Sequence, residues 1–124
     1  MTLAERFVKA ARTADSAAYR SLCSTESRHW VNIGPVEHSL DERVALLARE
    51  RELLAEFDMV DVRVHHTDAG FVVQTNARGT LQSGETIEMA LCAVVTCDGD
   101  QITRVEEYVD SAAAAPLLRA VFPG

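Results

Sequence analysis

Apolar positions recur every three or four residues in the first half of the chain and every second residue in the latter half. Leu3, Phe7, Ala10 and Ala11 fall on one face of a short helix predicted over 2–13. Thr13 or Asp15 then caps a second helical segment over 16–23, which carries Tyr19 and Leu22. The polar run 24–27 reads as a loop. Residues 28–33, with Trp30, Val31 and Ile33, read as a short strand that Gly34-Pro35 stops. Ser39 and Glu42 have the spacing of a capping box. Behind it Val44, Leu47, Arg51 and Leu54 share a face that Leu46, Leu53 and Phe57 widen, which predicts a helix over 40–56. The acidic and arginine residues of that helix read as its solvated side.

From Asp58 onward the period is two. Val60, Val62 and Val64 alternate with Asp61, Arg63 and His65 in a strand over 58–66. Turns at 68–70, 83–84 and 98–100, each containing glycine, separate strands over 71–82, 85–96 and from 102 to Asp110. An alanine-rich helical or irregular tail follows over 112–121. Helices first and an antiparallel meander afterwards predict an α+β domain, its helices packed on one face of a curved antiparallel sheet.

Composition narrows the partners. The 124 residues suit one domain, 1–124, with one core. A net charge of −7, with Lys9 the only lysine and no run of arginines, argues against nucleic acid and anionic membranes. No stretch is apolar enough to span a bilayer and no secretory signal is evident, so the expected compartment is the cytoplasm. Three cysteines without Cys-x-x-Cys spacing, Cys23, Cys92 and Cys97, read as reduced thiols. His65 and His66 diverge on a strand and His38 lacks a partner at ligand spacing, so neither a metal nor a cofactor is expected.

The candidate chemistry gathers at the final strand, Ile102-Thr103-Arg104-Val105-Glu106-Glu107-Tyr108-Val109-Asp110. Asp110 reads as an acid/base desolvated by an apolar pocket, or as the cap of the tail behind it. If it points into a pocket, strict alternation takes Tyr108 and Glu106 with it unless a bulge intervenes. Trp30 and Asn32 share a face and offer an indole N–H and an amide to a ligand, or else a core ring and a loop tie. On that parity His29 points to the opposite face, toward a surface or an interface. Tyr19 reads as a pocket donor or as a satisfied core phenol.

The element order, the final strand and Trp30-Val31-Asn32 together resemble the SnoaL-like branch of the nuclear transport factor 2-like superfamily, which also holds ketosteroid isomerase and limonene-1,2-epoxide hydrolase. The resemblance implies a cone-shaped α+β barrel, usually a homodimer, with a deep apolar pocket between sheet and helices. It implies proton-transfer chemistry of isomerase, cyclase or hydrolase type on a small apolar or polyketide-like molecule. Asp110 would be the catalytic group, with Trp30, Asn32, Tyr19 and Tyr108 binding substrate. The alternatives are a non-catalytic ligand-binding protein and a dimeric module with a vestigial pocket. Two departures favour these alternatives. Ala77 and Gly79 stand where the epoxide hydrolase pattern has Arg-x-Asp, and Asn32 stands where ketosteroid isomerase has its aspartate base.

Overall fold

The computed structural model describes residues 1–33 and 36–123; Gly34 and Pro35, expected to end the first strand, lie outside them. In chain order the elements are α1 (Leu3–Arg12), α2 (Ser16–Leu22), β1 (Cys23–Val31), β2 (Val36–Ser39), α3 (Leu40–Leu53), β3 (Leu54–Thr67), β4 (Gly70–Leu81), β5 (Thr86–Asp98), β6 (Gln101–Val109) and α4 (Ala115–Val121). The caps are side chains meeting orphan backbone N–H groups. The Thr2 and Asp15 side chains accept from Glu5 and Ala18, and Ser39 and Glu42 close the capping box of α3. Among the described residues no helix is long and apolar enough to cross a membrane.

The sheet runs β2-β1-β6-β5-β4-β3. Strands β3 to β6 form the antiparallel meander expected from the period-two pattern and its turns. Three additions were not legible in that pattern, the first being β2, which pairs antiparallel with β1. The run 24–27, expected to be a loop, lies within β1, and β1 pairs parallel to β6, so the sheet is mixed. The helix expected to reach 56 ends at Leu53, because residues 54–57 pair with β4 instead. The α+β class stands, with an open sheet whose inner face is covered by the helices. Phe7 and Val8 of α1, Tyr19 and Leu22 of α2 and Leu47 of α3 share one core cluster with the inner face of the meander.

Bulges decide which residues form that inner face. On β4 and β5 the odd positions are buried, as with Phe71, Val73, Ala93 and Val95. On β6, Ile102 pairs with Cys97 and Arg104 with Thr96, which leaves Thr103 as one extra residue opposite a single step of β5. The Thr103 hydroxyl donates to the Thr96 carbonyl at 3.2 Å and braces the bulge. Parity therefore flips along β6: Ile102 and Val105 are both buried. A comparable slip separates Cys23 from Arg28 in β1, and another on β3 has Asp61 at φ 53. Such extra residues bend a strand and curl the sheet around its helices.

The meander also packs very closely at its first turn. A Cβ added at Gly70 would run into the carbonyl oxygen of Val95 on the neighbouring strand. We expect Gly70→Ala to lower the unfolding free energy by about 1–3 kcal/mol, the usual cost of overpacking. Denaturant unfolding reads this directly, and a variant as stable as the parent would contradict the close approach.

Candidate functional site

A cavity of about 380 Å³ opens between the helices and the inner face of the sheet. Its walls are mostly apolar, with Leu46, Leu47, Met59, Val73, Met89 and Leu117 among them. Val36 and Phe122, both exposed, also line it and give it an apolar margin. A concave, apolar space with a few polar groups is the usual form of a small-molecule site.

The polar groups come from five elements, α2, β1, β2, α3 and β6. Arg43 and Glu50 lie seven residues, two turns, apart on α3, on the side that also presents Leu46 and Leu47 to the cavity. Glu107 reaches it from β6, between Val105 and Val109. The Arg43 guanidinium lies 3.6 Å from the Glu50 carboxylate and 3.9 Å from that of Glu107. These side chains are only 15%, 28% and 23% exposed respectively, in a place where they border the cavity. Both contacts are longer than the 2.7–2.9 Å typical of a charge-assisted hydrogen bond. The carboxylates thus keep acceptor capacity that a ligand can use.

Burial moves the charges as expected. Desolvation raises the Glu50 carboxyl above its ordinary range; Arg43 opposes this and Glu107 adds to it. Desolvation also opposes the Arg43 charge, yet Glu50, Glu107 and Tyr19 together outweigh it and hold the guanidinium protonated. Arg43 sits 5.6 Å from the centre of the Tyr19 ring, within cation–π range.

Beneath Arg43 runs a second chain of polar groups. The Tyr19 hydroxyl bonds His29 Nδ1 at 2.9 Å, and His29 Nε2 bonds the Ser27 hydroxyl at 2.9 Å. All three side chains are buried, His29 at 2% exposure. Desolvation, with Arg43, Arg28 and His38 nearby, pushes His29 down to about 4, so its ring is neutral. Desolvation raises the Tyr19 phenol well above its ordinary value, so it remains an O–H. A neutral imidazole donates through one nitrogen and accepts through the other, so a tautomer switch reverses the polarity of the whole chain.

The expected site residues are divided between two places. Tyr19 lines the cavity. Asp110 does not: it is exposed, and its carboxylate accepts from the Ala113 N–H at 3.2 Å, capping the turn before α4. With Tyr108, which is 43% exposed, it borders a separate open groove of about 330 Å³ that also includes Asp61, Arg63 and Asn76. The expectation that Asp110 is desolvated in the pocket is therefore corrected. The cause is the Thr103 bulge, which turns Glu107 and Val109 inward and leaves Tyr108 and Asp110 on the other face. Trp30 borders the cavity, yet its ring packs on Tyr108 with centroids 5.2 Å apart. The Asn32 amide is spent on both backbone groups of Val109, at 3.1 and 3.2 Å, and ties the end of β1 to β6.

His29, expected at a surface or interface, is inside because its register partner on β6 is Val105. Arg43 and Glu50, expected on the solvated side of α3, face the cavity. Their seven-residue spacing, one turn beyond Leu40 and Leu47, was the available signal. Among the described residues no three His, Cys, Asp or Glu side chains are grouped to hold a metal ion.

The neutral His29 has a consequence for stability. Its folded value of about 4 lies below the ordinary 6.5, so between those limits only the unfolded chain takes up the proton. Stability from this source is complete above pH 6.5, falls as the pH drops, and levels off below about 4. The expected loss is on the order of 3 kcal/mol. Urea unfolding at pH 7 and pH 4.5 should show it, with a shallower acid loss in His29→Gln. Equal losses in the two proteins would contradict it.

The sequence matches no family profile, and no curated protein matches it either. Solved structures do match. A candidate SnoaL-like polyketide cyclase from Shewanella denitrificans OS-217 superposes with a TM-score of 0.79 at 18% identity, covering 95% of each chain. A candidate polyketide cyclase from Pseudomonas putida KT2440 gives 0.78 at 18% identity, over 91% of this chain and 95% of its own. A protein with a ketosteroid isomerase-like fold from Catenulispora acidiphila DSM 44928, in complex with trimethylamine, gives 0.79 at 11% identity, over 93% and 92%. Likenesses this deep in shape and this thin in sequence show the fold alone: the chain folds as these SnoaL-like and ketosteroid isomerase-like structures do.

Proposed function

We propose that the chain is a proton-transfer enzyme for a small apolar molecule, with Glu50 as the acid/base. The observation that carries this reading is a carboxyl group raised by desolvation in the wall of an apolar cavity. Perturbed acids in clefts are where acid–base chemistry is found. Arg43 orients Glu50 and keeps its conjugate base within reach, Glu107 holds Arg43 from the other side, and Tyr19 fixes the guanidinium from below. Isomerase or cyclase chemistry fits a single carboxyl moving a proton between two positions of a bound substrate. The likeness to candidate polyketide cyclases supports that class without naming a substrate. Pairing into a homodimer is part of the proposal and rests on the likeness of fold alone.

A second reading, binding without turnover, is favoured by one observation: Asp110 lies outside the cavity.

Deuterium uptake at carbons next to the carbonyl, followed by NMR over a panel of cyclic enones and diketones, separates the readings. Wild type should accelerate exchange, and Glu50→Gln should lose about 10²-fold or more of that rate, the usual contribution of a positioned base. Asp110→Asn should stay within about twofold of wild type, since an amide still caps a turn. Because Glu50 must be ionised to act as base, the rate should fall as the pH drops through its raised pKa. An unaffected Glu50→Gln, or an inactive Asp110→Asn, would overturn this assignment, and no exchange with any probe would leave the binding reading.

A further inference from the structure

The charges that border the cavity do not balance. Among the described residues Arg43 is the one buried cation there, and two carboxylates, Glu50 and Glu107, lie within 3.9 Å of it. Tyr19 and His29, also in the wall, do not correct the imbalance. On α2 the Tyr19 phenol keeps its proton, and on β1 both nitrogens of neutral His29 are engaged by Tyr19 and Ser27. On β2, His38 faces the same space, opposite His29 across the strand pair. With both carboxylates ionised, the cluster on Arg43 has one negative charge in excess, in a place where unpaired charge is costly. In the empty protein desolvation, with a smaller push from Glu107 and against Arg43, raises Glu50, so that it takes up a proton more readily.

A ligand can bring the missing positive charge instead. Resting on the reading of Glu50 as the proton-transfer group, we propose that this cavity selects apolar molecules carrying a basic amine, with the ammonium seated against Glu50 and Glu107. Where Glu50 is protonated, a neutral amine enters and its lone pair takes the carboxyl proton. An N–H bond forms, the O–H bond breaks, and its electron pair stays on the carboxylate. Where Glu50 is ionised, the ammonium arrives with its own proton. In both cases the product is an ammonium between two carboxylates, with Phe7, Tyr19 and Phe57 supplying aromatic surface to the apolar body. An anionic ligand meets the opposite situation. Arg43 is already shared by two carboxylates, and a third negative group would add to the excess.

The test uses three probes with similar apolar bodies: 2-phenylethylamine, 2-phenylethanol and 3-phenylpropanoate. Calorimetry at pH 7 should give the amine about tenfold or greater preference over the alcohol, as for a hydrogen bond to a charged group, with the carboxylate weakest. Glu50→Gln and Glu107→Gln should each move the amine-to-alcohol ratio toward one, and circular dichroism confirms that each variant is folded. An alcohol or carboxylate that binds as tightly as the amine, or a ratio unchanged in both variants, would overturn the proposal. Amine preference without deuterium exchange would uphold it and end the catalytic reading. Exchange combined with a preference for neutral probes would do the reverse.

Discussion

The character of the cavity depends on one extra residue in β6. Thr103 has no partner of its own on β5, and its hydroxyl is bonded to the Thr96 carbonyl. Side chains alternate strictly along a strand, so a single inserted residue exchanges the two faces for everything beyond it. With the bulge, Val105, Glu107 and Val109 line the cavity. Without it, Glu106, Tyr108 and Asp110 would take their place, and Arg43 would keep Glu50 but lose Glu107. Because β1 pairs in parallel with β6, the same shift brings His29 opposite Val105 and inward.

The ion cluster is the second consequence. A buried guanidinium costs several kcal/mol to desolvate, and only well-placed carboxylates offset that. Here the offset comes from two elements, Glu50 on the same helix and Glu107 on β6. The arrangement ties charges together in the wall of an otherwise apolar space and leaves a carboxyl whose proton is held more tightly than in water. The Tyr19–His29–Ser27 chain beneath it fixes the floor. Polar groups clustered in the wall of an apolar cavity orient a ligand by its polar group, a requirement of both transfer and binding.

Much of this fold was legible in the sequence. The capping box at Ser39, the glycine turns and the change from helical to alternating period gave the element order and the α+β class. The parallel β1–β6 contact was not, because it joins segments far apart in the chain and no turn chemistry announces it. The site was less legible than the fold. Asp110 stood out as a carboxylate ending a strand, yet its side depended on a bulge that no glycine marks. Arg43 and Glu50 look like ordinary surface charges of α3, since a helix pattern shows which positions share a face and not which face meets a cavity. Tyr19 was named as a candidate donor, and the structure places it against the cavity on His29.

The central claim is that the working carboxyl of this pocket is Glu50. A carboxyl ¹³C NMR titration of the glutamate side chains, with Glu50 assigned by loss of its resonance in Glu50→Gln, measures that group directly. The account predicts a midpoint for Glu50 above the ordinary 4.5. It also predicts a downward shift when the amine probe is bound, as the ammonium favours the ionised form. A Glu50 that titrates at or below 4.5, indifferent to the amine, would contradict it.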